Sequence, residues 1–166
     1  MEAAAAHRSV ARETLRLRAW SLRHIPLLFF LSPTVVALDT RRVVVRVPLN
    51  WRTKNHLGSM YFGALCTGAD CAVAVLALRL LEGRRTVSPI FKEMRVEFLA
   101  RAEGDVHFAC EEGEQIQALF ERAESTGERE NAVLSVLATV PEKLGAEPVA
   151  RFEMTLSVKK RGASRP

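Results

Sequence analysis

The sequence holds little that anchors a metal or a disulfide framework. Its three cysteines, Cys66, Cys71 and Cys110, are odd in number, sit in apolar surroundings and show no paired spacing. They read as reduced core residues. The four histidines, His7, His24, His56 and His107, are scattered, with no two at helical ligand spacing beside a carboxylate or thiol. A metal site is therefore not expected. Long apolar runs are also missing. The longest uninterrupted one, Cys71 to Leu78, falls well short of the ~20 residues that a membrane-spanning helix requires. The run IPLLFFL from Ile25 carries a proline, lies deep in the chain and is followed by no small-residue cleavage pattern, which argues against a secretory signal. The arginine-rich N-terminus is short of serine and contains Glu2 and Glu13, which argues against a transit peptide. A cytoplasmic protein is the expectation.

Repeats and Pro/Ser-rich linkers are absent as well, and 166 residues at 48% hydrophobic and 26% charged content suit one globular domain with a real core. A net charge of +5 and a pI near 9.6 suit an acidic partner such as nucleic acid, an anionic membrane or a phosphorylated ligand. Arg8, Arg12, Arg16, Arg18 and Arg23 crowd the N-terminus without interleaved aromatics, and no nucleic-acid motif is present. That disfavours nucleic acid. The run KKRGASRP reads as a solvated basic tail.

Periodicity supplies the elements. Residues 9–24 space Val10, Leu17 and the pair Arg12/Arg16 as a helix, broken or bent by Pro26. The β-branched runs VVALD and RRVVVRVPL form a hairpin. Met60 to Leu81 is apolar on every side, as a helix wrapped by other elements is. From Ile90 the pattern alternates, with Ile90, Met94, Val96, Phe98 and Ala100 on one face and Lys92 intruding. GDVHFACEE is expected to pair with that strand across RAEGD. Ile116, Leu119, Phe120 and Ala123 then mark a short amphipathic helix, residues 128–140 a strand, and Pro148 to Lys159 a strand of unbroken alternation. The sum is α+β, an antiparallel sheet of about six strands curled about one buried helix. Residues 1–32 are assigned to an N-terminal helical segment, 33–160 to the domain and 161–166 to a basic disordered tail.

One stretch, NHLGSMYFGALCTGAD, needs a chemical explanation. Between Asn55 and Leu78 the only formally charged residue, with His56 neutral, is Asp70. Buried ionisable groups are enriched at sites, although they also serve in structural pairs, here with Arg79, with a backbone group or across a dimer interface.

Asn55, Gly58, Gly63 and Asp70 carry a resemblance. The chain resembles the hotdog-fold thioesterase superfamily over about residues 33–160. The phenylacetate-pathway acyl-CoA thioesterase type has a pattern like N-x-x-G-x-x-H-G-G with an acidic residue seven positions further on. Tyr61 stands here at the histidine position and Phe62 at the first of the paired glycines. The chain is thereby more similar to a hotdog branch catalogued as a domain of unknown function, which drops the histidine. The resemblance implies a hotdog fold, a homodimer that can assemble into a tetramer, and an acyl-CoA or related acyl thioester as small-molecule substrate, coenzyme A entering only as part of it and no separate cofactor. It implies catalytic roles for Asp70, Gly63 and Asn55, and substrate-binding roles for Gly58, Tyr61 and Phe62.

Helix geometry constrains any such site. Gly63 and Asp70 are seven residues and two turns apart, so they share a face but stand ~10 Å apart along the axis. Reacting groups must approach within ~3–3.5 Å, so Asp70 and the Phe62/Gly63 amides have to come from different subunits. The amides at the positive helix end bind the developing oxyanion, and Asp70 acts as general base or nucleophile. The same fold without turnover, holding an acyl group or acyl-CoA, is the alternative. Lys92, which breaks an apolar strand face, reads as a snorkelling residue near the sheet rim, with a hold on a phosphate or carboxylate as the less common alternative; Gly68 reads as a packing glycine, Cys66 and Cys71 as inert, and Arg84 with Arg85 as complements to the helix C-terminus or as contacts to nucleotide phosphates.

Overall fold

Local sequence signals account for where the elements begin and end. The computed structural model describes residues 2–82 and 86–161, with side chains from residue 10 onward. Helix α1, Glu2–His24, stops where Pro26 intervenes, and that proline then opens the short helix α2, Pro26–Phe30, at a position where its missing N–H costs nothing. Strands β1, Thr34–Leu38, and β2, Val43–Val47, form the expected hairpin. Helix α3 runs Phe62–Leu80, followed by β3, Val87–Phe98, and β4, Val106–Cys110. Helix α4, Gly113–Thr126, ends on Gly127 in the left-handed conformation at φ 72°, then come β5, Glu130–Thr139, the single turn α5, Pro141–Leu144, and β6, Pro148–Lys160.

The six strands form one antiparallel sheet in the order β1-β2-β4-β5-β6-β3. Its inner face is a continuous apolar layer from Val43, Val45 and Val47 through Phe108 and Leu134 to Phe152, Met154 and Leu156. Against it lie Leu65, Ala69, Ala72, Val73 and Leu76 of α3 and Ile116, Leu119 and Phe120 of α4. At roughly 25 cal/mol per Å² of apolar surface, burying side chains of this size supplies the dominant favourable term of folding. The N-terminal helix is tied to the sheet. Leu17 is buried, Val35 N–H donates to Thr14 Oγ1 at 3.0 Å, and the Arg18 guanidinium donates to the carbonyls of Ser32 and Pro33. This α+β layout, a six-stranded sheet about a long helix, is the one the resemblance implies.

Three expectations are overturned. β4 does not pair with β3; it pairs with β2 and β5, and the strand partner of β3 is β6. The twelve-residue β3 and thirteen-residue β6 satisfy each other's backbone over nearly their full lengths, whereas the five-residue β4 would leave most of β3 unpaired. The face assignment of β3 also changes. Its register with β6 slips between Phe91 and Glu93, so Lys92 is the extra residue of a β-bulge. The slip inverts the alternation upstream of it. Val87, Pro89 and Phe91 now share the inner face with Met94, Val96 and Phe98, while Ile90, paired across from Ser157, turns outward and is 60% exposed.

Nor is α3 wrapped on every side. Gly63, Cys66, Thr67, Asp70, Ala74 and Leu78 recur at three- and four-residue intervals and are only partly covered or exposed. The helix is long and apolar enough to cross a membrane by length and composition, yet 56% of its most apolar window is buried inside the fold. Arg84, Arg85 and residues 162–166, for which the sequence suggested ligand contacts and a disordered tail, lie outside the described residues.

Candidate active site

The segment leading into α3 is fixed by its own hydrogen bonds. Asn55 Oδ1 accepts the Leu57 N–H at 2.9 Å and Asn55 Nδ2 donates to Ser59 Oγ at 3.1 Å, while Gly58 N–H donates to the Asn55 carbonyl at 3.1 Å. Such asparagine turns are favoured because the side chain substitutes for a backbone partner. Gly58 closes the turn at φ 83°, where a side chain would be strained. Asn55 and Gly58 therefore shape the loop. Further along, Met60 N–H donates to the Ala102 carbonyl and Tyr61 N–H to the Thr53 carbonyl, both at 2.8 Å. These bonds pin the start of α3 to two neighbouring loops.

That helix start has no side-chain cap. Tyr61 occupies the N-cap position with extended backbone and makes no capping bond. Ala64 and Leu65 donate to the Tyr61 carbonyl, whereas the Phe62 and Gly63 amides have no acceptor among the described residues. Two unsatisfied N–H groups at the positive end of a nineteen-residue helix are available to an incoming oxyanion. The half-exposed Tyr61 ring lies across Gly63, where a Cβ would come within 2.5 Å of Tyr61 Cε1, and stands 4.7 Å from the Phe62 ring. Gly68 has a different reason: a Cβ there would meet the buried Phe108 ring at 2.3 Å, so it is a packing glycine as expected.

Asp70 faces a groove of 420 Å³ bordered by Ile25, the N-cap of α2, and Leu27 within it, Cys66 and Thr67 of α3, Phe91, Lys92, Glu93 and Met94 of β3, and Met154 of β6. Its carboxylate has no hydrogen-bond or ion-pair partner among the described residues, and burial pushes its pKa above the ordinary aspartate value. The structural pairing with Arg79 does not form, because Arg79 bonds Glu82 instead. Burial likewise raises the Cys66 and Cys71 thiols, with the Asp70 charge adding to the effect at Cys71, and pushes Cys110 up to about 11. Nucleophilic thiolate at neutral pH is thereby disfavoured. Among the described residues no three His, Cys, Asp or Glu side chains gather as metal ligands.

Within one chain, then, Asn55, Gly58, Tyr61, Phe62 and Gly63 come together at the start of α3, and Asp70 stands apart in the groove. Sequence reasoning missed most groove residues, above all Ile25, Leu27, Thr67 and Met154. It placed Lys92 within an unbroken apolar face, where the structure has it as the extra residue of the bulge. One signal was present: apolar residues at 87, 89 and 91 and then at 94, 96 and 98 change phase by an odd step, which is the trace of a bulge.

Residues 16–158 match the family described as Domain of unknown function (DUF4442). Among solved structures, a Pseudomonas aeruginosa protein of unknown function described as a probable thioesterase is 26% identical, with 89% of this chain and 96% of that one covered at a TM-score of 0.76. A protein of unknown function from Chlorobaculum tepidum is 16% identical over 92% and 97% of the two chains, at a TM-score of 0.75. A thioesterase from Haemophilus influenzae is 12% identical over 88% and 91%, at a TM-score of 0.63. No curated protein matches the chain.

Proposed function

The chain belongs to the DUF4442 family, a hotdog-fold branch, and from that premise we propose that it hydrolyses an acyl thioester, with acyl-CoA as the substrate class. The observation that carries this reading is a pair of complementary features on α3: amides at Phe62 and Gly63 without acceptors, and a carboxylate at Asp70 without a partner, among the described residues. The Phe62 and Gly63 amides hold the developing oxyanion, an interaction worth ~3–4 kcal/mol per donor in acyl-transfer enzymes. Asp70 takes a proton of the attacking water, the C–S bond breaks, the proton passes to the leaving thiolate, and the carboxylic acid leaves. Alternatively Asp70 attacks the carbonyl itself, the C–S bond breaks to release the thiolate, and water then hydrolyses the resulting mixed anhydride to free the carboxylic acid and restore Asp70. Asn55 and Gly58 hold the loop that sets the amides, and Tyr61 and Phe62 present rings to the acyl group.

Because the two features are ~10 Å apart along one helix, the active unit is a homodimer in which each site takes its amides from one chain and Asp70 from the other. The exposed twelve-residue edge of β3 supports this assembly, since an unpaired strand edge is a template for pairing with another chain. The partly exposed Met94, Val96 and Phe98 beside it gain cover in the same step.

The test is thiol release from acyl-CoA thioesters of graded chain length, wild type against Asp70→Ala at matched folding and dimer content. The expected outcome is turnover by wild type that falls ~10²–10⁴-fold in the variant. Wild type that releases no thiol above buffer on any chain length sinks the hydrolase reading. A second reading, a protein that holds acyl-CoA without turnover, is favoured by one observation: Tyr61, at the position of the motif histidine, makes no side-chain hydrogen bond among the described residues. Undiminished acyl-CoA binding by an Asp70→Ala protein, with both proteins inactive, selects it.

A further inference from the structure

The β3 bulge delivers one residue for which neither the sheet nor the catalytic scheme has a use. Lys92 stands opposite no residue of β6, and it borders the Asp70 groove rather than the outer face, where Arg95, Glu97, Arg151 and Glu153 lie. Bulges near sites re-aim side chains. The nearest carboxylate in sequence, Glu93, bonds Arg95 at 3.0 Å, and Lys92 itself has no ion pair among the described residues.

The remaining walls are largely apolar: Ile25, Leu27, Phe91, Met94 and Met154. Among the described residues bordering the groove, Lys92 alone is cationic, and Glu93 is the other acid beside Asp70. Lys92 and Asp70 therefore share one groove without pairing with each other, and desolvation alone accounts for the displaced pKa of Asp70.

We propose that Lys92 is a substrate-binding residue that holds an anionic oxygen of the thioester, contributed either by a phosphate of the coenzyme A carrier or by a terminal carboxylate on the acyl group. The ammonium supplies a compact point charge with three donors on a flexible stem, which suits a phosphate or a carboxylate at the groove mouth. The proposal rests on the thioester reading for its substrate, but its test does not need turnover. A lysine that merely guards a strand edge against aggregation is the competing role, and that role carries no ligand dependence.

The experiment is calorimetric titration of wild type, Lys92→Met and Lys92→Arg, at matched dimer content, with three probes. These are coenzyme A, a neutral medium-chain acyl thioester of N-acetylcysteamine, and the same thioester with a terminal carboxylate on its acyl chain. Lys92→Met is expected to weaken one anionic probe about tenfold or more while the neutral thioester is unchanged, and Lys92→Arg is expected to recover most of the loss. Weakened coenzyme A identifies the phosphate as the source, and a weakened carboxylated thioester identifies the acyl group. Affinities for both anionic probes within about twofold of wild type in Lys92→Met, or no binding of either by wild type, overturn the proposal. Lysine-dependent affinity in a wild type that releases no thiol sinks the hydrolase reading and leaves this one standing.

Discussion

β3 and β6 are neighbours in one ladder, nearly equal in length, and both alternate apolar with charged residues, yet one is core and the other is open. The contrast is sharpest where they touch. Phe152 of β6 is 1% exposed and Phe98 of β3 is 47% exposed, with their rings edge to face at 6.5 Å. β6 runs between two strands beneath α4, whereas β3 is the last strand of the sheet, and little of the chain reaches over it. Alternation thus states which residues favour burial, and strand order decides whether anything buries them. The cover that β3 lacks is what the proposed dimer provides.

The widest gap between the two strands should come from truncating those two phenylalanines. Phe152→Ala is expected to lose ~3–5 kcal/mol of unfolding free energy, because the site cannot collapse around the lost ring. Phe98→Ala should lose about 1 kcal/mol when measured in dilute protein. Urea titrations of both variants check this, and equal losses would erase the distinction between core and open strand.

Next in size is a charge on the open strand. Val96→Arg should leave the monomer fold intact but weaken self-association about a hundredfold or more, since an unpaired guanidinium at a covered interface costs several kcal/mol. Sedimentation equilibrium reads the association constant, and thiol release should fall with dimer content. A variant that remains as dimeric as wild type would remove β3 from the interface.

A smaller effect is expected at Asp70, which borders the groove beneath β3. Its folded-state pKa is raised by burial, so its contribution to stability is greatest below the unfolded value and is lost as the pH rises through the raised folded value. Asp70→Asn should therefore melt higher than wild type at neutral pH, with the difference shrinking towards acid. Melting midpoints across a pH series test the sign. For the same reason, the acid limb of kcat/KM should lie above the ordinary aspartate range.

The smallest effect tests the bulge itself. Ile90→Ser, on the outer face, should change stability by no more than about 0.5 kcal/mol, while Phe91→Ser, which packs against the core, should cost about 1–2 kcal/mol. The reverse ranking would restore the unbroken alternation that the sequence suggests.

Much of this molecule was legible before folding. Pro26 ends a helix by chemistry local to the chain, and Ile116, Leu119, Phe120 and Ala123 mark the buried stripe of α4 by their spacing alone. The strict alternation of β6 placed Phe152, Met154 and Leu156 on one face correctly. Asp70 stood out because a lone charge in an apolar helix is costly without a reason. The partner of β3 was not legible, because strand pairing is chosen by competition among distant segments. Nor was the reach of α2 to the groove, which brings Ile25 and Leu27 beside Asp70 across a long stretch of chain.

The sequence by itself determined the periodic elements, the lone carboxylate on the central helix and the asparagine turn that precedes it, because each depends on contacts within a few residues. Only the tertiary structure decided that β3 lies at the edge, that its bulge turns Ile90 outward and leaves Lys92 on the groove, and that Asp70 has no partner among the described residues. Those outcomes depend on which surfaces meet. Periodicity carries the phase of a strand or helix but no information about its neighbour.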